Sequence, residues 1–246
     1  MAYAWVRAAT ALAAVLGAPD SACLRAEESE EERSPISTVI FGSLEAGPTK
    51  TFGAVGFKRA IGGGLATSGF RLMTKAGGSQ EEARRSRPRG LATKNDAQAL
   101  LGYEWRIGDT FAALYAGSDV EIERRDLPTS TTFSARYGAR LHADLWTTPT
   151  EETMLHASGY LSSVNTRAWA RLAGGWLLPQ GLLQQRLYLG PEIEAYRERD
   201  YRKLRLGLHL TGLRLLGLEW RVSAGLQRAS DRPGEAYATL GLHWLR

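Results

Sequence analysis

The sequence contains a single cysteine, Cys23, so no disulfide framework is available to it. Asp20 stands where a lipid-attachment motif would carry leucine, which argues against Cys23 as a lipid anchor. Beyond the first twenty residues no apolar run approaches the eighteen or more needed for a spanning helix, and this excludes a helical bundle of the inner membrane. Catalytic motifs are missing too. There is no GxSxG, no HExxH, no P-loop and no paired-cysteine metal site. The Gly62-Gly63-Gly64 run lacks the lysine and helix of a phosphate cradle. His142, His156, His209 and His243 fall in separate segments without metal-ligand spacing. His156 and Ser158 share a strand face, but no further element of a hydrolase triad accompanies them. The expectation is a protein without cofactor or metal that is not an enzyme. Nucleic acid is not an expected partner, because nothing here would read a groove.

What the sequence does contain is strict two-residue alternation. Leu216, Leu218, Trp220, Val222, Ala224 and Leu226 alternate with Gly217, Glu219, Arg221, Ser223, Gly225 and Gln227. Tyr137, Ala139, Leu141, Ala143 and Leu145 alternate likewise with Gly138, Arg140, His142 and Asp144. Period two gives a strand one apolar and one polar face. Strands of soluble domains average five or six residues, whereas these alternate for about ten, the length of a tilted strand that crosses a bilayer. Hydrophobic residues make up 43% of the chain and mean hydropathy is negative, which suits a barrel whose every second residue meets lipid. The fold class expected is all-β, an antiparallel outer-membrane barrel of about twelve strands. The strands are expected near 36–46, 50–60, 65–75, 96–107, 110–123, 134–146, 152–163, 166–177, 184–196, 201–212, 215–227 and 235–246.

Arg7 and the apolar stretch 8–18 have the form of a secretory signal, so residues 1–26 are expected to be a signal peptide. Residues 27–35 form an acidic lead-in expected to be disordered, and 36–246 the barrel. Connections after even-numbered strands are expected to be short, with a turn at Leu213-Arg214. Those after odd strands are expected to be longer, above all a solvated basic loop over 76–95. Such loops would meet outer-membrane lipid or lipopolysaccharide phosphates.

If apolar positions face lipid, the interior collects Glu104, Arg106, Arg136, Arg186, Glu194 and Glu219 together with the residues singled out for lumen or glycan contact. Those residues are Arg140, Asp144, Arg167, Trp169, Arg171, Glu192, Lys203, Arg205 and Arg221. Confined charges must pair or line water. Either they interlock and fill the barrel, or they line a water path whose arginine excess favours anions or hydroxyl-rich sugars. Trp105, Trp146, Trp176, Trp220 and Trp244 read as an interfacial girdle. Trp169 is the exception, since it alternates with Arg167 and Arg171.

Several stretches resemble the cellulose biosynthesis protein BcsS family of alphaproteobacteria. They are residues 38–47, 56–60, 99–105, 138–146 with Pro149 and Thr150, 188–192, 201–209 and 221–225. The likeness runs in order along nearly all the chain after the signal. The arginine-rich stretch within 76–95 and the Arg246 terminus depart from it. The resemblance implies an accessory role beside a cellulose synthase, with cellulose or synthase components as candidate partners and no catalytic residues to carry over. Three classes follow. One is a barrel that assists secretion or surface anchoring of cellulose-type exopolysaccharide. Another is a plugged structural or interaction barrel, or a soluble periplasmic binding barrel. The third is a lipid- or glycan-modifying enzyme.

Overall fold

Alternation continues around a complete ring. In a computed structural model, residues 36–48, 50–83, 90–127, 130–179 and 185–245 are described. The expected signal peptide, lead-in and Arg246 lie outside them. Twelve antiparallel strands follow in chain order: β1 (Thr38–Ala46), β2 (Lys50–Ile61), β3 (Gly69–Ala83), β4 (Gly90–Ile107), β5 (Thr110–Leu127), β6 (Ser130–Thr150), β7 (Thr153–Ser162), β8 (Arg167–Leu177), β9 (Tyr188–Glu198), β10 (Tyr201–Leu215), β11 (Leu218–Ala229) and β12 (Arg232–Leu245). Each pairs with the next, and β12 pairs with β1 from Val39 opposite Leu245 to Ala46 opposite Ala238. Closure removes both sheet edges.

The barrel is inside-out relative to a soluble one. Leu204, Leu206 and Leu208 of β10 and Leu226 of β11 lie exposed on the outer surface. Arg205, His209, Arg221 and Ser223, the alternate residues of those strands, are buried inside. A soluble barrel places its apolar residues inward, so the outward apolar belt is a lipid-facing surface. Trp105, Trp176 and Trp244 sit on that surface, and with Trp220 they cluster near the strand ends on the side where β1 starts and β12 finishes. That side is the inner end of the barrel. Trp146 is a correction. It faces inward, against a buried cluster of Met73, Leu100, Phe111, Ala113 and Tyr115.

Strand length divides the ring in two. β7 and β8 span 10 and 11 residues, β4 and β5 18 each and β6 21. At about 3.3 Å per residue and a tilt near 40°, the short strands rise about 27 Å, which matches the hydrocarbon slab. By the same arithmetic β4–β6 stand roughly 20 Å higher at the outer end. The expected loop over 76–95 is therefore corrected. β3 runs to Ala83 and β4 starts at Gly90, in register from Ala76 opposite Ala97 to Ala83 opposite Gly90. Above the lipid both strand faces are wet, so a hairpin needs no apolar alternation there.

The expected asymmetry of connection lengths is overturned as well. The two longest connections, 62–68 and 178–187, lie at the inner end, while outer turns such as 199–200 and 230–231 are tight. The outer bulk is carried by extended strands instead of loops. The turn expected at Leu213-Arg214 falls at Leu216-Gly217, because a bulge at Gly212 (φ +92°) shifts the register between Thr211 and Leu213. That shift mimics the end of a strand.

Candidate functional site

The site is the lumen. At its inner end the connection 62–68 tucks inward. Leu65 is buried against Val39 and Ala60, and its N–H donates to the Ile36 carbonyl at 2.8 Å. Arg71 of β3, fully buried, holds this segment by donating to the carbonyls of Gly64 (3.2 Å) and Thr67. Its charge is met by Glu104 of β4, which also receives Lys58 at 3.0 Å and the Tyr115 hydroxyl at 3.1 Å. With Arg106 at 3.5 Å from its other oxygen, three cations and a hydroxyl surround one buried carboxylate and satisfy groups that would otherwise be costly to bury. Above this floor the apolar cluster of Met73, Leu100 and Phe111 fills the β3–β5 side.

Midway up, His156 Nε2 lies 2.9 Å from Asp144 Oδ1, while Arg171 and Arg221 approach its Nδ1 at 3.4 and 3.3 Å. Arg221 is also bound by Glu192. His156 is thus committed to an electrostatic knot, and Ser158 does not join it in a hydrogen bond. Among the described residues no three His, Cys, Asp or Glu side chains are disposed to hold a metal ion.

Higher up, two networks anchor opposite walls. On one, Asp119 of β5 accepts from Arg140 Nη2 (3.0 Å), Arg167 Nη2 (2.9 Å) and the Ser162 hydroxyl, and Glu121 accepts from Arg167 Nη1 at 2.9 Å and Arg136 Nη1 at 3.0 Å. On the other, Arg205 of β10 binds Glu45, Glu194 (3.0 Å) and Gln227 (2.8 Å), with Lys203 3.6 Å from Glu45. At the outer mouth Lys94 of β4 meets Glu198 of β9 at 3.4 Å. These strands stand five places apart in a ring of twelve, so this ion pair crosses the lumen. Asn165 reinforces it, donating to both Glu198 (2.9 Å) and Glu121 (2.7 Å). On the raised hairpin above the lipid, Arg124 donates to Asp126 at 2.9 Å and holds that carboxyl below its ordinary value, with the Thr131 hydroxyl as a second donor.

Between these networks lies a cavity of about 770 Å³. Its walls run from Lys50, Glu81 and Asp231 at the outer rim to Phe111 and Glu219, each one place into its strand from an inner turn. All nine residues singled out from the sequence, Arg140, Asp144, Arg167, Trp169, Arg171, Glu192, Lys203, Arg205 and Arg221, line it. Arg186 does not; it is exposed in the 178–187 connection. The expected arginine excess is also corrected. Twelve lysines and arginines on the lining face eleven aspartates and glutamates, so the wall is close to neutral. The balancing acids missed from the sequence are chiefly Glu121 and Glu123 of β5, with Glu45 and Glu198. Their alternation with Val120 and Ile122 was the available signal.

The family described as cellulose biosynthesis protein BcsS matches residues 39–246, the whole barrel. The chain belongs to the BcsS family. Its likeness to solved structures is one of fold. The beta domain of the Bordetella autotransporter BrkA aligns with a TM-score of 0.50 at 10% identity, covering 85% of this chain and 98% of that one. An outer membrane channel from Pseudomonas putida F1 gives 0.51 at 9% identity, covering 90% of this chain and 100% of that one. No curated protein matches the chain by sequence. This member of the BcsS family is thus a twelve-stranded barrel of the outer-membrane type, in a family of cellulose biosynthesis.

Proposed function

We propose that this BcsS-family barrel is an accessory, non-catalytic component of the outer membrane that assists secretion or surface anchoring of cellulose-type exopolysaccharide. Its inner end would face the periplasm and its raised β3–β6 wall the cell surface, where outer-membrane lipid and lipopolysaccharide would surround it. The observation that carries this reading is the lumen cavity, whose wall mixes apolar side chains with charges that come close to balancing, which suits an uncharged hydroxyl-rich polymer better than an ion. The half-buried His156–Asp144 pair, bordered by two arginines, offers no free base for a hydrolytic reaction.

A second reading has its own observation. The inward 62–68 segment and the Lys94–Glu198 crossbar narrow the two ends, as in a barrel that binds a partner of the secretion machinery with its lumen closed.

Deleting the chain from its host and measuring surface cellulose by dye binding tests the shared claim; unchanged surface cellulose refutes it. Conductance in planar bilayers then separates the two readings. A measurable current altered by Arg171→Ala or Arg205→Ala supports the interior path. No current, with the cellulose phenotype intact, supports the closed interaction barrel.

A further inference from the structure

One group of lumen side chains is aromatic and is tied to the ion-pair networks at two points, where the Tyr196 hydroxyl donates to Glu198 at 2.9 Å and Arg140 lies over the Tyr160 ring. Tyr160 of β7 lies directly opposite Trp169 of β8, and Trp169 directly opposite Tyr196 of β9. All three face the cavity. Each sits two places from the outer end of its strand, on the low side of the rim facing the raised wall. The rings of Tyr160 and Trp169 stack with centroids 5.7 Å apart and planes 24° from parallel. Tyr196 continues the band, its ring 5.9 Å from that of Tyr201 at the start of β10.

Lipid anchoring does not account for these rings, because an interfacial girdle lies on the outer surface. Pure space filling fits poorly as well, since the rings border an open cavity. We infer that Tyr160, Trp169 and Tyr196 form a contact track for an uncharged β-glucan chain at the outer end of the lumen. This rests on the reading of the barrel as a glucan-handling protein.

The chemistry fits in three respects. A β-linked glucose ring carries its hydroxyls around the equator and presents C–H faces above and below. An aromatic side chain offers a large apolar surface that accepts such a face at small entropic cost. Three rings on adjacent strands cover about 10 Å, two inter-strand spacings, about the reach of two linked pyranose rings.

Polar groups flank the track for the equatorial hydroxyls. Arg171 lies 5.7 Å from the Trp169 ring and Lys203 5.9 Å from that of Tyr196. Arg140, held by Asp119, lies 4.0 Å over the Tyr160 ring and covers one of its faces, so Trp169 and Tyr196 carry most of the contact. The near-neutral wall disfavours a charged polymer, which would leave counter-charges unmatched.

The test is calorimetric titration of cellohexaose into the detergent-solubilised full chain, with α-linked maltohexaose as the control ligand. Cellohexaose is expected to bind. Trp169→Ala should weaken it by about tenfold, as loss of an aromatic anchor does, and Trp169→Phe should recover part of that loss. Migration that still shifts on boiling establishes that a variant has folded. Should Trp169→Ala fail this check, Tyr196→Ala carries the test. Equal affinity in both alanine variants, equal binding of maltohexaose, or no binding to the unmodified chain overturns the track. None of these outcomes touches the accessory function, which falls only if deletion leaves surface cellulose unchanged.

Discussion

Replacing Asp119 by alanine removes the carboxylate on which one lumen network converges. Asp119 is 0% exposed and accepts from Arg140, Arg167 and Ser162. The two arginines do not lose equally. Arg167 keeps Glu121 at 2.9 Å, whereas among the described residues Arg140 has no other carboxylate within ion-pair distance. At 5% exposure Arg140 also has little access to compensating water. One charge pair near 4 Å is worth about 4 kcal/mol at an effective dielectric of 20. Breaking a buried pair on one side costs about 3–5 kcal/mol, because the surviving charge is stranded. The lower part of that range is expected, since the cavity alongside can admit some water.

The assay is urea unfolding of the refolded barrel in lipid vesicles, followed by tryptophan fluorescence. Two comparisons isolate the cause. Lys50→Ala breaks the rim pair with Glu81 at 3.7 Å, whose side chains are 28% and 23% exposed, and should cost no more than about 1 kcal/mol. The double variant Asp119→Ala with Arg140→Ala removes the stranded charge and should be less destabilised than the sum of the singles. A loss under about 1 kcal/mol in Asp119→Ala, or strict additivity in the double variant, would refute the claim that this network is desolvated.

Three further outcomes are expected. Leu208→Arg puts a charge midway along the outward face of β10 and should cost about 2–4 kcal/mol in a bilayer; free tolerance of it would mean that this face does not meet lipid. Gly190 faces inward on β9, where an added Cβ would stand 2.0 Å from the Gly174 carbonyl oxygen and 2.7 Å from the Gly175 Cα. Backbone cannot move aside as a side chain can, so Gly190→Ala should destabilise by about 1–3 kcal/mol, and a wild-type unfolding midpoint would disprove the close approach. Lys94→Ala cuts the pair that crosses the outer mouth and should raise unitary conductance in planar bilayers; Glu198→Gln should do the same, and unchanged conductance in both would show that the crossbar does not limit the path.

How much was legible depended on what each residue's neighbours had to do. The period of β6 from Arg136 to Trp146 was plain because lipid on one side and a charged lumen on the other impose opposite demands on successive residues. Taken one residue further, the same parity puts Trp146 with His142 and Asp144, inside. Nearness to a strand end had suggested the girdle instead. Where lipid stops, the signal stops. Gln80, Glu81 and Thr93 lie in paired strands that no alternation reveals, because water accepts either face. Gly212 was unreadable for a different reason. A bulge and a turn both interrupt the period, and only the continued pairing of Leu213 with Trp220 tells them apart.

The charge balance of the lumen was hidden by distance along the chain. Arg205 finds Glu45 across 160 residues and Lys94 finds Glu198 across 104. Read strand by strand, the arginines of β8, β10 and β11 look unopposed, and an anion path follows naturally. Closing the ring brings them the acids of β1, β5 and β9 and reverses that inference. A balanced wall of this kind would select by shape and hydrogen bonding instead of by charge. On the proposed glucan reading the inward aromatic residues then acquire their weight: in a charge-biased channel Trp169 would be incidental, whereas in a balanced one the rings beside it would be the groups left to discriminate among uncharged chains.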